Sequence, residues 1–186
     1  EIEAERSSWD VFRVRKRFPS LHDGRWAYFD APGGTQVPDT VINAVCDYFR
    51  HHNAQAGGAY ARSEATTKLI GSAREAGARF LGGDVAGIGF GQNMSTLNFQ
   101  LAWSLGRDLQ CDDEILVSET SFDTNVSVWE YLAEERGLVL KRVRRNPETF
   151  QLDLEDLERK VTNRTRVVAF PWASNAVATV MNVSRL

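Results

Sequence analysis

The chain has 186 residues, 42% of them apolar, which is enough for one compact core. A charged fraction of 25% and a net charge of −3 exclude bulk attraction to nucleic acid or to an anionic membrane surface. No apolar run approaches the roughly 20 residues of a membrane-spanning helix. The acidic start EIEAER lacks the regions of a secretory signal, and the distant pair Cys46 and Cys111 makes neither a disulfide framework nor a zinc pattern. A cytoplasmic protein is expected.

In chain order, residues 8–18 read as a short helix, with Val11, Val14 and Phe18 on one side and Arg13, Arg15, Lys16 and Arg17 on a solvated face. Tyr28 to Asp30 is a short extended piece that Pro32, Gly33 and Gly34 end. Pro38 opens a helix to about His52, with Val41, Val45, Tyr48 and Phe49 at helical spacing. A Gly-rich loop at 54–60 leads to a second helix over 63–81, with Leu69, Ala73, Ala76 and Phe80 inward and Gly82 as its stop. Strand–helix alternation follows. Strands are expected at 88–90, 114–118, 138–143 and 166–170, and helices at 95–105, 125–136 and 154–161. Gly137 stops the second of these helices and Asp153 caps the third. The pattern implies an α/β fold: a mainly parallel sheet with helices on both faces. The expected division is a helical segment, 1–20, and a larger domain, 21–186.

Three polar segments fall just beyond expected strands: 91–95, 119–125 and Ser174-Asn175. Ligands of open α/β sheets bind at that edge. The run GIGFGQ at 87–92 has Gln92 where a dinucleotide loop needs its last Gly, and the frame from Gly89 puts Met94 there, so nicotinamide and flavin binding are disfavoured. A single phosphate suits the same loop better, because free N–H groups at a helix start favour an anion. Ser95 either caps that helix or adds a hydroxyl to the anion site. Phe122 either lies flat on a planar ligand or plugs the core edge. The Asn175 amide either donates to a ligand oxygen or bonds its own backbone. His51 and His52 are adjacent, diverge on a helix and cannot chelate one metal, and no other metal-binding spacing occurs.

Taken together and in order, the segments resemble the first half of the cysteine desulfurase-like, class V aminotransferase family. They are YFDAPGGTQVP at 28–38, HNAQAGG at 52–58, FGQNMS at 90–95, the stretch 119–129 with Asn125 and Trp129 in register, LDLEDL at 152–157, RTRVVA at 164–169 and Ser174-Asn175. The resemblance implies part of the large domain of a fold-type I enzyme, with pyridoxal 5'-phosphate (PLP) as cofactor and an amino acid as substrate. It implies that the backbone at Asn93, Met94 and Ser95, with the Ser95 hydroxyl, holds the cofactor phosphate. Phe122 would stack on the pyridine ring, Asn175 would bond the phenolic oxygen, and the turn at Gly33 and Gly34 would lie near the substrate.

The sequence departs from that family at three points. Phe122 stands where His is common, which keeps stacking but loses proton transfer. Ala31 replaces an Asn, and Gly57-Gly58-Ala59 replaces the His-Arg-Gly of the best-known desulfurases. The family's cofactor-linking lysine would lie beyond Leu186; Lys16, Lys68, Lys141 and Lys160 all read as surface positions. The expectation is therefore an incomplete site, with no catalytic residue in this chain. A complementary C-terminal half or a second subunit would complete it in a homo- or hetero-oligomer. The reaction would be C–S cleavage, transamination, epimerisation or elimination. The rival expectation is a non-catalytic binding or assembly module on a degenerate form of the fold. A sugar-phosphate binder on the same kind of sheet would explain residues 91–95 but not the other segments.

Overall fold

The computed structural model describes residues 10–185, which fall into two compact units that divide between Gly89 and Phe90. Trp9 and the residues before it, where the first helix was expected to begin, lie outside the described residues.

In the first unit, helix α1 (Val11–Arg15) starts at Asp10, whose carboxylate accepts from the N–H groups of Phe12 and Arg13, both at 3.0 Å. Pro38 precedes α2 (Asp39–Asp47), where its missing N–H costs nothing. The chain then widens into one π-helical turn, Tyr48–His52. There the carboxylate of Asp47 meets both imidazoles, His51 Nδ1 at 2.8 Å and His52 Nε2 at 3.5 Å. The π-turn thus brings both rings onto one carboxylate, although regular helical spacing would spread them.

Helix α3 (Ala61–Leu81) ends at Gly82, whose φ of +66° is a left-handed cap that favours glycine. Its first turns lace down the preceding loop. The buried Ser63 hydroxyl donates to the Gln55 carbonyl and accepts from the Gly58 N–H, both at 2.6 Å. Thr66 donates to the His52 carbonyl, and Thr67 accepts from the Gly57 N–H. The buried face of α3 is Ser63, Thr66 and Ala78. Leu69, Ala73, Ala76 and Phe80, expected inward from their spacing, are exposed. The periodicity marks an apolar face correctly, but none of the described residues covers it.

The second unit begins with helix α4 (Met94–Gly106), followed by strand β1 (Glu114–Ser118), helix α5 (Thr124–Arg136), strand β2 (Val139–Val143), helix α6 (Leu154–Lys160) and strand β3 (Thr165–Ala169). The sheet is all parallel in the order β2-β1-β3. Central β1 is buried throughout, which suits its apolar run Ile115-Leu116-Val117. Alternation sends its side chains to opposite faces. Ile115 and Val117 join Val128, Trp129 and Leu132 of α5 and Ala102 of α4. Leu116 joins Val143, Leu152 and Met181, with Leu154 and Leu157 of α6 against them. Helices therefore cover both faces, as the sequence pattern implied.

One expected strand is missing. Residues 88–90 make no ladder, because no described strand lies beside them to pair with. Among the described residues, no helix is long and apolar enough to cross a membrane.

Candidate functional site

The loop before α4 is built by its own side chains. Asn93 is the N-cap of α4, and its carboxamide oxygen accepts from the Thr96 N–H at 2.9 Å. The Leu97 N–H bonds the Asn93 carbonyl at 3.1 Å. Among the described residues, the N–H groups of Met94 and Ser95 have no partner. They are the open donors at the positive end of a 13-residue helix. Gly91 lets the loop pass close to that helix: a Cβ there would lie 2.5 Å from a Leu97 methyl.

The start of α5 meets the start of α4. The Ser95 hydroxyl lies 3.4 Å from the Thr124 hydroxyl, and Thr124 Oγ1 lies 3.5 Å from the Met94 sulfur. One turn on, the Asn98 amide donates to the Asn125 side-chain oxygen at 3.3 Å, and Asn125 Nδ2 donates to the Ser121 hydroxyl at 3.3 Å. Two helix N-termini and five polar side chains thus converge beyond β1. The sequence marks Ser95 and Asn125 but not Thr124 and Asn98. A Thr at the first turn of a post-strand helix was the available signal, but nothing local shows which helix it faces.

Phe122 occupies the same loop, two residues before Thr124, with its side chain half exposed rather than packed into the core. Ser174 is buried, and its hydroxyl accepts from the N–H groups of Ala176 and Val177, both at 3.3 Å. Asn175 is exposed, and its side chain makes no hydrogen bond to any described residue. The loops after β1 and β3 adjoin, because Thr120 and Ser174 line one small cleft of about 10 Å³. That cleft holds a water molecule at most. The segments at 119–125 and 174–175 thus reach the carboxyl edge of the sheet, whereas the loop at 91–95 follows no assigned strand.

Gly33 and Gly34 belong to the first unit. Both N–H groups bond the Asp30 carbonyl, at 3.2 and 3.1 Å, closing a tight turn. Gly34 lines an open recess of about 210 Å³ with Trp26 and Tyr28.

The two lysines of the second unit are engaged elsewhere. Lys141 Nζ pairs with Glu114 at 2.7 Å. Lys160 Nζ pairs with Asp156 at 2.7 Å. Asp156 is the buried hub of the α6 side, and it also receives the Arg144 N–H at 2.9 Å and the guanidinium groups of Arg144 and Arg159. The Arg144 N–H above all, then Lys160, holds the Asp156 carboxyl far below the usual carboxylate range, against the opposing effect of burial. Glu114 is lowered for the same kind of reason, chiefly by Lys141 and then by the Thr162 hydroxyl. Among the described residues, no cluster of His, Cys, Asp or Glu is arranged to hold a metal.

A family model described as Aminotransferase class-V matches residues 27–186. The chain belongs to the class-V aminotransferase family. A cysteine desulfurase of Serratia proteamaculans is 31% identical over 186 residues, which are 96% of this chain and 46% of the relative. The apo cysteine desulfurase of Thermococcus onnurineus superposes with a TM-score of 0.84 at 26% identity, over 93% of this chain and 42% of that one. A mutant of the protein C-DES with glycine covalently linked to its PLP cofactor gives a TM-score of 0.71 at 20% identity, over 88% of this chain and 45% of that one, a likeness of fold alone. The chain spans about half the length of the curated relatives it matches. The family and the fold-type I architecture expected from the motifs are thus both confirmed.

Proposed function

We propose that this chain supplies the N-terminal part of a PLP-dependent enzyme of amino-acid chemistry, completed by further polypeptide that carries the cofactor-linking lysine. The observation that carries the reading is the meeting of the α4 and α5 starts. It sets two open N–H groups and the Ser95 hydroxyl at Thr124, two residues after the half-exposed Phe122, in a chain of the class-V family.

These residues suit one end of the cofactor. The N–H groups of Met94 and Ser95, the Ser95 hydroxyl and the α4 dipole favour a bound phosphate. Phe122 offers an aromatic face for a planar ring, and Asn175 offers an unengaged amide for a ring oxygen. When bound, PLP acts as an electron sink for bonds at the amino-acid α-carbon. The part of this chain is to bind and orient. Phe122 has no titrating proton, so any proton transfer falls to other groups, with Asp123 beside it as one candidate. Gly33 and Gly34 are proposed to border the amino-acid substrate. The branch of chemistry spans C–S cleavage, transamination, epimerisation and elimination, and assembly into an oligomer is part of the proposal.

A non-catalytic module on the same fold is the second reading. Phe122 in place of His and the engagement of Lys141 and Lys160 favour it.

One experiment separates them. The natively isolated protein is mixed with PLP, its visible absorption is recorded, and it is reduced with borohydride before intact-mass analysis. A visible band with cofactor mass fixed on a lysine outside these 186 residues supports the enzyme. No band, and no added mass on any chain, supports the module. In the PLP-binding protein, Ser95→Ala is expected to weaken PLP roughly ten- to a hundredfold, the scale of one hydrogen bond to a charged group. Unchanged affinity in that variant would sink the assignment of the 93–95 loop.

A further inference from the structure

We propose that Thr124 is a positioning residue for the anion-binding hydroxyl of Ser95. The inference rests on the reading of the 93–95 loop given above and goes beyond it, since that reading assigns no role to the Thr124 hydroxyl.

A serine hydroxyl has one proton and two lone pairs. If Ser95 gives its proton to Thr124, it has none for a phosphate. The neighbours of Thr124 decide the direction. Without an anion, its Oγ1 accepts from Ser95 Oγ at 3.4 Å and donates to the Met94 sulfur at 3.5 Å, a weak acceptor that it gives up at little cost. An anion that takes the Ser95 proton makes Ser95 Oγ the better acceptor, because hydrogen bonds in a chain polarise one another. Thr124 then donates to Ser95, and Ser95 donates to the anion. At 3.4 Å the hydroxyl pair is wider than an ideal O–H···O contact of about 2.7–2.8 Å, so small side-chain rotations tighten it once the order is set.

The scaffold for this relay is already built. The bond from Asn98 to Asn125 ties α4 to α5 one turn inside the pair, and Asn125 is fixed in turn by Ser121. Thr124 is the first residue of α5, where its N–H has no intrahelical partner. Its side chain is partly buried between the two helix starts, so its rotamer is confined.

The test uses the whole protein as its gene encodes it, titrated with PLP and, separately, with pyridoxal, which lacks the phosphate. The variants are Thr124→Val, which keeps the shape and removes the hydroxyl, Thr124→Ser, which restores it, Ser95→Ala and the Ser95→Ala/Thr124→Val pair. Thr124→Val is expected to weaken PLP two- to tenfold, the range of one neutral hydrogen bond, and to leave pyridoxal affinity unchanged. Thr124→Ser should recover most of the loss, and the double variant should bind PLP no worse than Ser95→Ala alone. The inference is overturned if Ser95→Ala weakens PLP but Thr124→Val does not. It is equally overturned if Thr124→Val lowers pyridoxal affinity as much as PLP affinity, or if the two losses simply multiply, because each marks a structural effect unconnected to Ser95. If Ser95→Ala leaves PLP affinity unchanged, the loop assignment itself fails and the role of Thr124 falls with it.

Discussion

Asp156 shows how one residue can brace a face of the sheet. Its side chain is only 3% exposed and gathers the Arg144 N–H and the side chains of Arg144, Arg159 and Lys160. A buried charge is tolerated only when it is paired and hydrogen-bonded. Asp156→Asn keeps the shape but leaves three cations facing a neutral amide, and is expected to lower stability by roughly 3 kcal/mol at pH 7. The pH dependence follows from the lowered carboxyl. As pH falls through about 4, the unfolded chain takes up a proton at Asp156 while the folded chain resists. The contribution of Asp156 to stability is thus fully present above that range and is lost progressively in acid. Urea midpoints of wild type and Asp156→Asn at pH 7 and pH 3 would check this. The gap between the two proteins should narrow in acid, and a constant gap would remove the carboxylate from the account. Glu114, lowered by Lys141 and Thr162, titrates in the same direction, so wild type and variant both keep some acid sensitivity.

At the scale of elements, the geometry of the site depends on how closely α4 approaches α5. The contact runs through small residues one turn apart, Ala102 and Gly106, both buried. A Cβ at Gly106 would lie 2.7 Å from a methyl of Leu132, itself only 1% exposed and enclosed by the core. Gly106→Ala would raise helix propensity by up to about 1 kcal/mol on an open surface. Here overpacking should win and lower stability by about 1–3 kcal/mol, read as a reduced denaturation midpoint, and a stabilised variant would show that Leu132 yields freely.

What the sequence made legible divides along the same line. The limits 114–118 were readable to the residue because an unbroken apolar run between polar turns specifies a buried strand. The caps at Asp153 and Gly137 were readable because their chemistry is local: the Asp153 carboxylate accepts from the Asp156 N–H, and Gly137 has a φ of +67°. The strand expected at 88–90 was not, because a strand needs a neighbour and composition does not name one. The pairing of Thr124 with Ser95 joins residues 29 apart in sequence and depends on the crossing of two helices, which no local pattern encodes.

For the whole molecule, exposed apolar surface is the governing quantity: Leu101, Trp103 and Leu105 of α4 and Leu69, Phe80 and Leu81 of α3 all face solvent. A helix apolar on nearly every side, as α4 is, belongs in an interior. The matched region is only 44–46% of the length of the curated relatives, so each of them has more than as much polypeptide again beyond it. Residues 1–186 produced alone are therefore expected to bind a hydrophobic dye strongly and to sediment as associated species well above 20.9 kDa. Co-production with the remainder of a class-V partner sequence should suppress both signals, because the same apolar area cannot bind dye and pack against a neighbouring domain. A monodisperse 20.9 kDa species with no dye response would show instead that these faces close on themselves in solution, and would withdraw the argument that further polypeptide completes the fold.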